Sequence, residues 1–242
     1  MILILILILI IITIFIYFFV LNSVSPIPYF PTQWADLEFV SNEILNPKFQ
    51  KISKSPNNQL PITSNHIIID LGAGTGTVIF HAAKIIKNNS INKNIVTNLA
   101  SKIPVSSDLG SRLDRGTHWN RETRYREANA NFIAVEINPF LCWIMQLRRL
   151  THPNRKNIQI IQGDIFKINL QDVIKSYSLN TEYRILITVY LYVGPYIWNS
   201  LIPTLKTAPK NTRILSYMYQ IPGWERKLIQ VKRGKKKLYI YN

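Results

Sequence analysis

The stretch Ile67-Ile68-Ile69-Asp70-Leu71-Gly72-Ala73-Gly74-Thr75-Gly76 constrains this chain more than any other. Three β-branched residues and an acid run into a turn with glycine at every second position. Thr77 to Ile86 then carries Val78, Ile79, Ala82, Ala83 and Ile86 near a 3.6-residue period. The pattern predicts a buried strand, a tight turn and a helix. Glycine reaches positive φ cheaply and lets the backbone approach a ligand closely. The helix N-terminus adds unpaired N–H groups that suit a carboxylate or phosphate. The expected unit is the first half of a nucleotide-binding βαβ; a strand–turn–helix with no ligand is the alternative.

Glycine spacing separates two nucleotide readings. A dinucleotide fingerprint takes G-x-G-x-x-G. Here Gly72, Gly74 and Gly76 give G-x-G-x-G, with Thr77 where the third dinucleotide glycine belongs. Asp70 to Gly76 resembles the first motif of class I S-adenosylmethionine-dependent methyltransferases. The resemblance implies a Rossmann-like α/β fold with a seven-stranded sheet, S-adenosyl-L-methionine as cofactor, and Asp70, Gly72, Ala73, Gly74 and Gly76 lining its site.

Two further segments fall in register. Phe132-Ile133-Ala134-Val135-Glu136 reads as the second strand, ending in an acid whose carboxylate suits vicinal ribose hydroxyls. Pro139 then suits a first helical turn. Glu136 lies 60 residues beyond Gly76, where about 20 is usual. Ile158 to Ile161 is the third strand, and Gln162-Gly163-Asp164-Ile165 resembles the methyltransferase turn whose acid meets the adenine amino group. The resemblance places Asp164 and Ile165 at the adenine.

Arg184 to Val189 is the fourth expected strand, running into Tyr190-Leu191-Tyr192. It lacks the Asn/Asp-Pro-Pro-aromatic motif of adenine and glutamine N-methyltransferases. Tyr190 and Tyr192 are candidate catalytic-site residues, orienting an amine by hydroxyl or holding a cation by ring; core packing is the alternative. Ile197 to Leu205 suggests a helix and Thr212 to Tyr219 a fifth strand. Lys227 to Val231 and Leu238 to Tyr241 form a hairpin around Arg233-Gly234-Lys235, completing seven strands.

Met1 to Val20 is almost wholly apolar, and about twenty helical residues span roughly 30 Å. A transmembrane helix at 1–21 is expected ahead of the methyltransferase domain; a basic n-region and cleavage site for a signal peptide are lacking. No Lys or Arg lies between this segment and Lys48, so charge does not orient it. The catalytic part is placed in the cytoplasm because a methyl-donor enzyme needs its cofactor there. Residues 22–59 form a Pro-rich tether and a helix, Gln33 to Leu45, with Thr32 as a candidate N-cap.

Pro28-Tyr29-Phe30-Pro31-Thr32, the following helix and the glycine motif resemble the membrane-anchored lysine methyltransferases of the adenine nucleotide translocase and the ATP synthase c-subunit, with their prokaryotic relatives. That resemblance implies a lysine on a membrane-associated protein as substrate, and Tyr29 and Thr32 at the substrate pocket. The main domain is expected over 60–242, interrupted by a polar surface insertion at 88–131.

The formal net charge is +16. It suits an anionic partner, nucleic acid or acidic lipid, or reflects a bias that also enriches Asn and Ile. The single cysteine, Cys142, excludes a disulfide framework and a cysteine zinc site. Two alternatives to a lysine methyltransferase stand: an RNA methyltransferase, resting on net charge, and a non-catalytic S-adenosylmethionine-binding membrane protein.

Overall fold

The structure is a computed structural model, and it describes residues 1–24, 32–46, 65–100, 130–178 and 185–242. Side chains are described through residue 14 of the first helix and through residue 89 of the third. In chain order the elements are α1 (Ile2–Val24), α2 (Trp34–Ile44), β1 (Asn65–Leu71), α3 (Thr77–Ala100), β2 (Ala130–Glu136), α4 (Pro139–Thr151), β3 (Ile158–Gln162), α5 (Leu170–Ser178), β4 (Ile185–Leu191), α6 (Trp198–Lys206), β5 (Arg213–Tyr217), β6 (Leu228–Arg233) and β7 (Lys237–Tyr241).

The sheet order is β3-β2-β1-β4-β5-β7-β6. β1 to β5 run parallel, and β7 is antiparallel to both β5 and β6. This is the expected seven-stranded sheet with its closing antiparallel pair. β1 is central because it is apolar on both faces, as strands covered by helices on both sides must be. Ile67, Ile69 and Leu71 pack with Ile133, Val135, Val189 and Leu191 on one face, under α5 and α6. Ile68 packs with Phe132 and Ala134 on the other, where α2, α3 and α4 place Val40, Ile79 and Met145. Successive strands leave β1 first toward β3, then toward β5. The switch point lies between β1 and β4, where open α/β sheets bind ligands at the carboxyl ends of the strands.

Helix α2 is fixed by two buried carboxylates. Asp36, 1% exposed, accepts hydrogen bonds from Tyr217 Oη at 2.7 Å and from the Lys235 and Lys236 amides at 2.6 and 2.8 Å. Burial pushes its carboxyl up, but those hydrogen bonds outweigh it and hold the group below its ordinary range. Glu43 meets Arg213 at 3.2 Å and also Lys232. Arg213 itself donates to the Glu43 and Asn46 carbonyls. The helix is thereby tied to β5 and to the β6–β7 hairpin.

Four expectations need correction. Among the described residues no helix is long and apolar enough to cross a membrane. The described side chains of α1, Ile2 to Ile14, are apolar but for Thr13. Those apolar side chains are exposed. The insertion does not begin at residue 88, because α3 continues to Ala100, and it ends before β2 begins at Ala130; the stretch 101–129 lies outside the described residues. The N-cap of α2 is Gln33, with extended backbone and no side-chain cap bond, rather than Thr32. The fourth strand runs on through Tyr190 to Leu191.

The Asp36 anchor is testable by a double-mutant cycle in urea unfolding. Asp36→Ala and Tyr217→Phe are each expected to destabilise, with a coupling of about 1.5–3 kcal/mol, typical of a hydrogen bond to a charged group. Additive effects would show that the two side chains do not act as one latch.

Candidate functional site

The glycine turn adopts the backbone its sequence demands. Gly72, Gly74 and Gly76 all have positive φ, at 79°, 57° and 71°. The Gly72 and Ala73 amides both donate to Val135 O, at 2.9 and 3.0 Å, which pins the turn to β2. A Cβ on Gly72 would meet nothing within 4 Å, so open space lies in front of the turn there. A Cβ on Gly76 would strike the Phe80 ring at 2.8 Å and Met145 Sδ at 2.9 Å. Arg148 of α4 braces the turn from outside, donating to Thr75 O at 2.5 Å and lying over the Phe80 ring.

Glu136 joins this turn to the second strand. Its Oε2 accepts from the Gly74 amide at 2.8 Å, and its Oε1 from the Asn138 amide at 2.9 Å. A carboxylate offers about four lone-pair sites, so each oxygen keeps room for a further donor. Burial pushes the Glu136 carboxyl upward, and the amides of Asn138, Gly74 and Ile137 pull against that. The side chain of Asn138 then caps α4, accepting from the Phe140 amide at 2.9 Å. Cys142 is buried, its thiol pushed up to about 11 by burial and by Glu136, in keeping with an apolar role.

Asp164 and Ile165 come to the same end of the sheet. The Gly163 amide donates to Glu136 O at 3.0 Å, which holds the β3 turn beside β2. Asp164 Oδ1 accepts from the Phe166 amide at 2.9 Å, its Oδ2 lies 3.7 Å from Lys167 Nζ, and Ile165 is buried. Beneath them Asp70 is 3% exposed. Burial, then the nearby Glu136, push its carboxyl up to about 8, so the group is protonated at neutral pH.

Tyr190 pairs in register with Asp70 across β1 and β4. Its ring is buried and its hydroxyl lies 2.9 Å from Thr32 Oγ1. Thr32 is therefore held to β4 by the Tyr190 hydroxyl and is not the helix cap. Tyr29 lies outside the described residues. Tyr192 is half-buried, donates to Met218 Sδ at 3.5 Å, and stands edge-on to Tyr217 with ring centroids 4.9 Å apart. Met218 holds a positive φ of 75°, a strained conformation for a non-glycine residue. Burial raises the hydroxyl of Tyr190 well above its ordinary value and that of Tyr192 also upward, so neither is a base at neutral pH.

Sequence reasoning missed the tie from Glu136 to Gly74, and it missed Gln33, Tyr217 and Met218. Gln33 Oε1 is buried and makes no hydrogen bond among the described residues. Its neighbour in sequence, Thr32, meets Tyr190. No sequence signal marks Gln33 or Met218, and β5, buried at every position, has no alternation that would single out Tyr217.

Two predictions follow from the turn and the buried acid. Gly76→Ala should cost about 2–4 kcal/mol, combining left-handed strain with overpacking, and Gly72→Ala only about 1–2; urea unfolding ranks them, and equal losses would contradict the packing described. Asp70 titrates near 3.9 when unfolded, and its folded value is higher. The unfolded chain therefore loses this proton first, and the folded state is progressively destabilised as pH rises from about 4 toward 8. Asp70→Asn should raise stability at neutral pH and flatten the pH dependence in that window; an unchanged slope would refute the assignment.

No family model and no curated protein matches the chain. Solved structures resemble it at low identity. One is an RNA methyltransferase from Salinibacter ruber in complex with S-adenosyl-L-homocysteine, 15% identical, covering 88% of this chain and 92% of that one, with a TM-score of 0.49. Another is M. capricolum TrmK in complex with S-adenosyl-homocysteine, 10% identical, covering 87% and 67%, with a TM-score of 0.42. A third is the glycopeptide N-methyltransferase MtfA complexed with S-adenosyl-L-methionine, 12% identical, covering 88% and 68%, with a TM-score of 0.39. Likeness at this level decides neither substrate nor chemistry.

Proposed function

We propose that this chain is an S-adenosylmethionine-dependent methyltransferase acting on a lysine amine of a membrane-associated protein. One observation carries the cofactor reading: three positive-φ glycines before a helix, tied by Glu136 to the end of the next strand. The residues fit the group. Open space fronts Gly72, where the backbone can lie against a ligand. Glu136 has acceptor capacity left after its two amide bonds, which suits two ribose hydroxyls. Ile165 and Asp164 sit at the third strand end, where an adenine ring and its amino group would lie.

The bound cofactor supplies an electrophilic methyl on a sulfonium. The chain supplies position and exclusion of water. A lysine with pKa near 10.4 costs about 4.6 kcal/mol to present neutral at pH 7, unless the site lowers that pKa. Buried surroundings lower it. Tyr192 offers ring surface to a cation. Gln33 Oε1 offers a buried acceptor that an amine N–H would satisfy. The Thr32–Tyr190 hydrogen bond holds Thr32 beside β4. The membrane part of this reading rests on α1, whose described side chains are apolar but for Thr13 and exposed. The RNA alternative rests on the net charge of +16.

Labelling tests the reading. The full chain, incubated with membranes and methyl-labelled S-adenosylmethionine, should transfer label to protein that survives RNase and yields methylated lysine on hydrolysis. Gln33→Leu should slow transfer on the order of tenfold, the loss of a neutral hydrogen bond of about 1–1.5 kcal/mol to the amine, while leaving cofactor affinity unchanged. RNase-sensitive label would favour the RNA alternative, and absence of transfer despite cofactor binding would favour a non-catalytic binder.

A further inference from the structure

Helix α4 turns Cys142 and Met145 into the core. Its outer side carries Trp143, Leu147 and Leu150, at positions i, i+4 and i+7, exposed by 56%, 45% and 62%. These three form one apolar stripe along the helix. Such stripes on a folded surface mark contact sites. α1 lies against α4 and is itself apolar. From Ile2 to Ile12 every residue of α1 is Ile or Leu, and all are 49% exposed or more. A helix apolar on all sides belongs in a large core or in lipid, whereas a helix meant for one protein partner needs only a stripe. α1 is not in the core.

Charge selects the kind of lipid. From Pro139 to Gly163 the chain has Arg148, Arg149, Arg155 and Lys156 and no acid. Arg148 and Arg149 donate to Thr75 O and Ile158 O of the domain itself. Arg155 and Lys156 are exposed beyond the end of the stripe, Arg155 donating one N–H to Leu150 O at 3.3 Å and keeping its other donors, and Lys84 and Lys87 are exposed on α3, which covers the same sheet face. An apolar face bordered by cations fits the boundary between headgroups and acyl chains of an anionic bilayer.

We propose that the Trp143-Leu147-Leu150 face of α4 is a lipid-docking surface, seated in the boundary of an anionic bilayer beside α1, with Arg155 and Lys156 at the lipid phosphates. This rests on reading α1 as embedded in lipid, and it requires no span. Docking through α4 also bears on the site: Arg148, on the same helix, braces the glycine turn.

The test uses the full chain carrying Leu150→Cys, labelled with a polarity-sensitive fluorophore. The one native thiol, Cys142, is buried, so label goes to the new cysteine. Gln171→Cys serves as control, exposed on α5 across the sheet. Mixed phosphatidylcholine–phosphatidylserine vesicles should blue-shift and brighten the label at 150 and leave the label at 171 unchanged. Phosphatidylcholine alone should give a weaker response, and Arg155→Gln with Lys156→Gln should weaken docking about fivefold per charge removed. Co-sedimentation with vesicles without a shift at 150 would overturn the docking face while leaving α1 in lipid. No co-sedimentation would overturn both. A shift without vesicles that grows with protein concentration would assign the stripe to a second copy instead. None of these readouts depends on methyl transfer, so failure here is distinct from failure of the proposed activity.

Discussion

The Glu136 carboxylate holds the two halves of the candidate site together. β1 delivers a turn whose amides have no helical partner, and β2 delivers an acid at the same height. Gly74 N–H meets one carboxylate oxygen and Asn138 N–H the other. A single buried residue thereby fixes the glycine turn and the start of α4 through its side chain and, through its main-chain carbonyl, the β3 turn at Gly163. Its burial is costly for a charge, and the converging amides offset that cost. Asp70 lies near enough to raise the expense of a second negative charge and stays neutral instead. With Asp70 protonated, the self-repulsion beside Glu136 is lessened and a titratable group remains close to the turn.

The second organising element is α2, which covers the other half of the strand ends. Its placement depends on carboxylates at both ends: Asp36 gripping the β6–β7 turn and Tyr217, and Glu43 gripping Arg213 and Lys232. Buried ion pairs are weak sources of stability, but breaking one is expensive, so they specify one docking geometry. The consequence is local to function. With α2 fixed, Thr32 just ahead of it meets Tyr190 of β4. The tyrosines at the ends of β4 and β5 are held through their hydroxyls by Thr32, Asp36 and Met218. Their hydroxyls are therefore engaged, and of the three only Tyr192 keeps part of its ring at the surface.

The strand–turn–helix at Ile67 to Ile86 was legible because two periods meet there: a β-branched run, then a 3.6-residue repeat. The acid at Glu136 was legible from an apolar run ending in a carboxylate, although the bridge to Gly74 is a tertiary fact that no local pattern carries. Asp36 and Glu43 read as the polar side of an amphipathic helix, because their partners lie some 170 to 200 residues away. Thr32 has good capping chemistry, yet a buried tyrosine hydroxyl competes for it. α3 outran its expected end because Asn88, Asn89 and Ser90 are poor helix formers that do not forbid helix. α5 was missed although Leu170, Val173, Ile174 and Tyr177 have helical spacing, and Asn169 accepts from the Gln171 amide as a cap; nine residues gave too short a pattern to register.

Amide hydrogen exchange on the full chain, with and without S-adenosylmethionine, tests the central claim most directly. The account predicts slowed exchange on ligand addition in three separate places: the turn from Gly72 to Gly76, the junction from Glu136 to Asn138, and the turn from Gly163 to Phe166. These segments adjoin one another only at the carboxyl ends of β1, β2 and β3. Exchange unchanged in all three, or protection confined to surfaces remote from these strand ends, would contradict it.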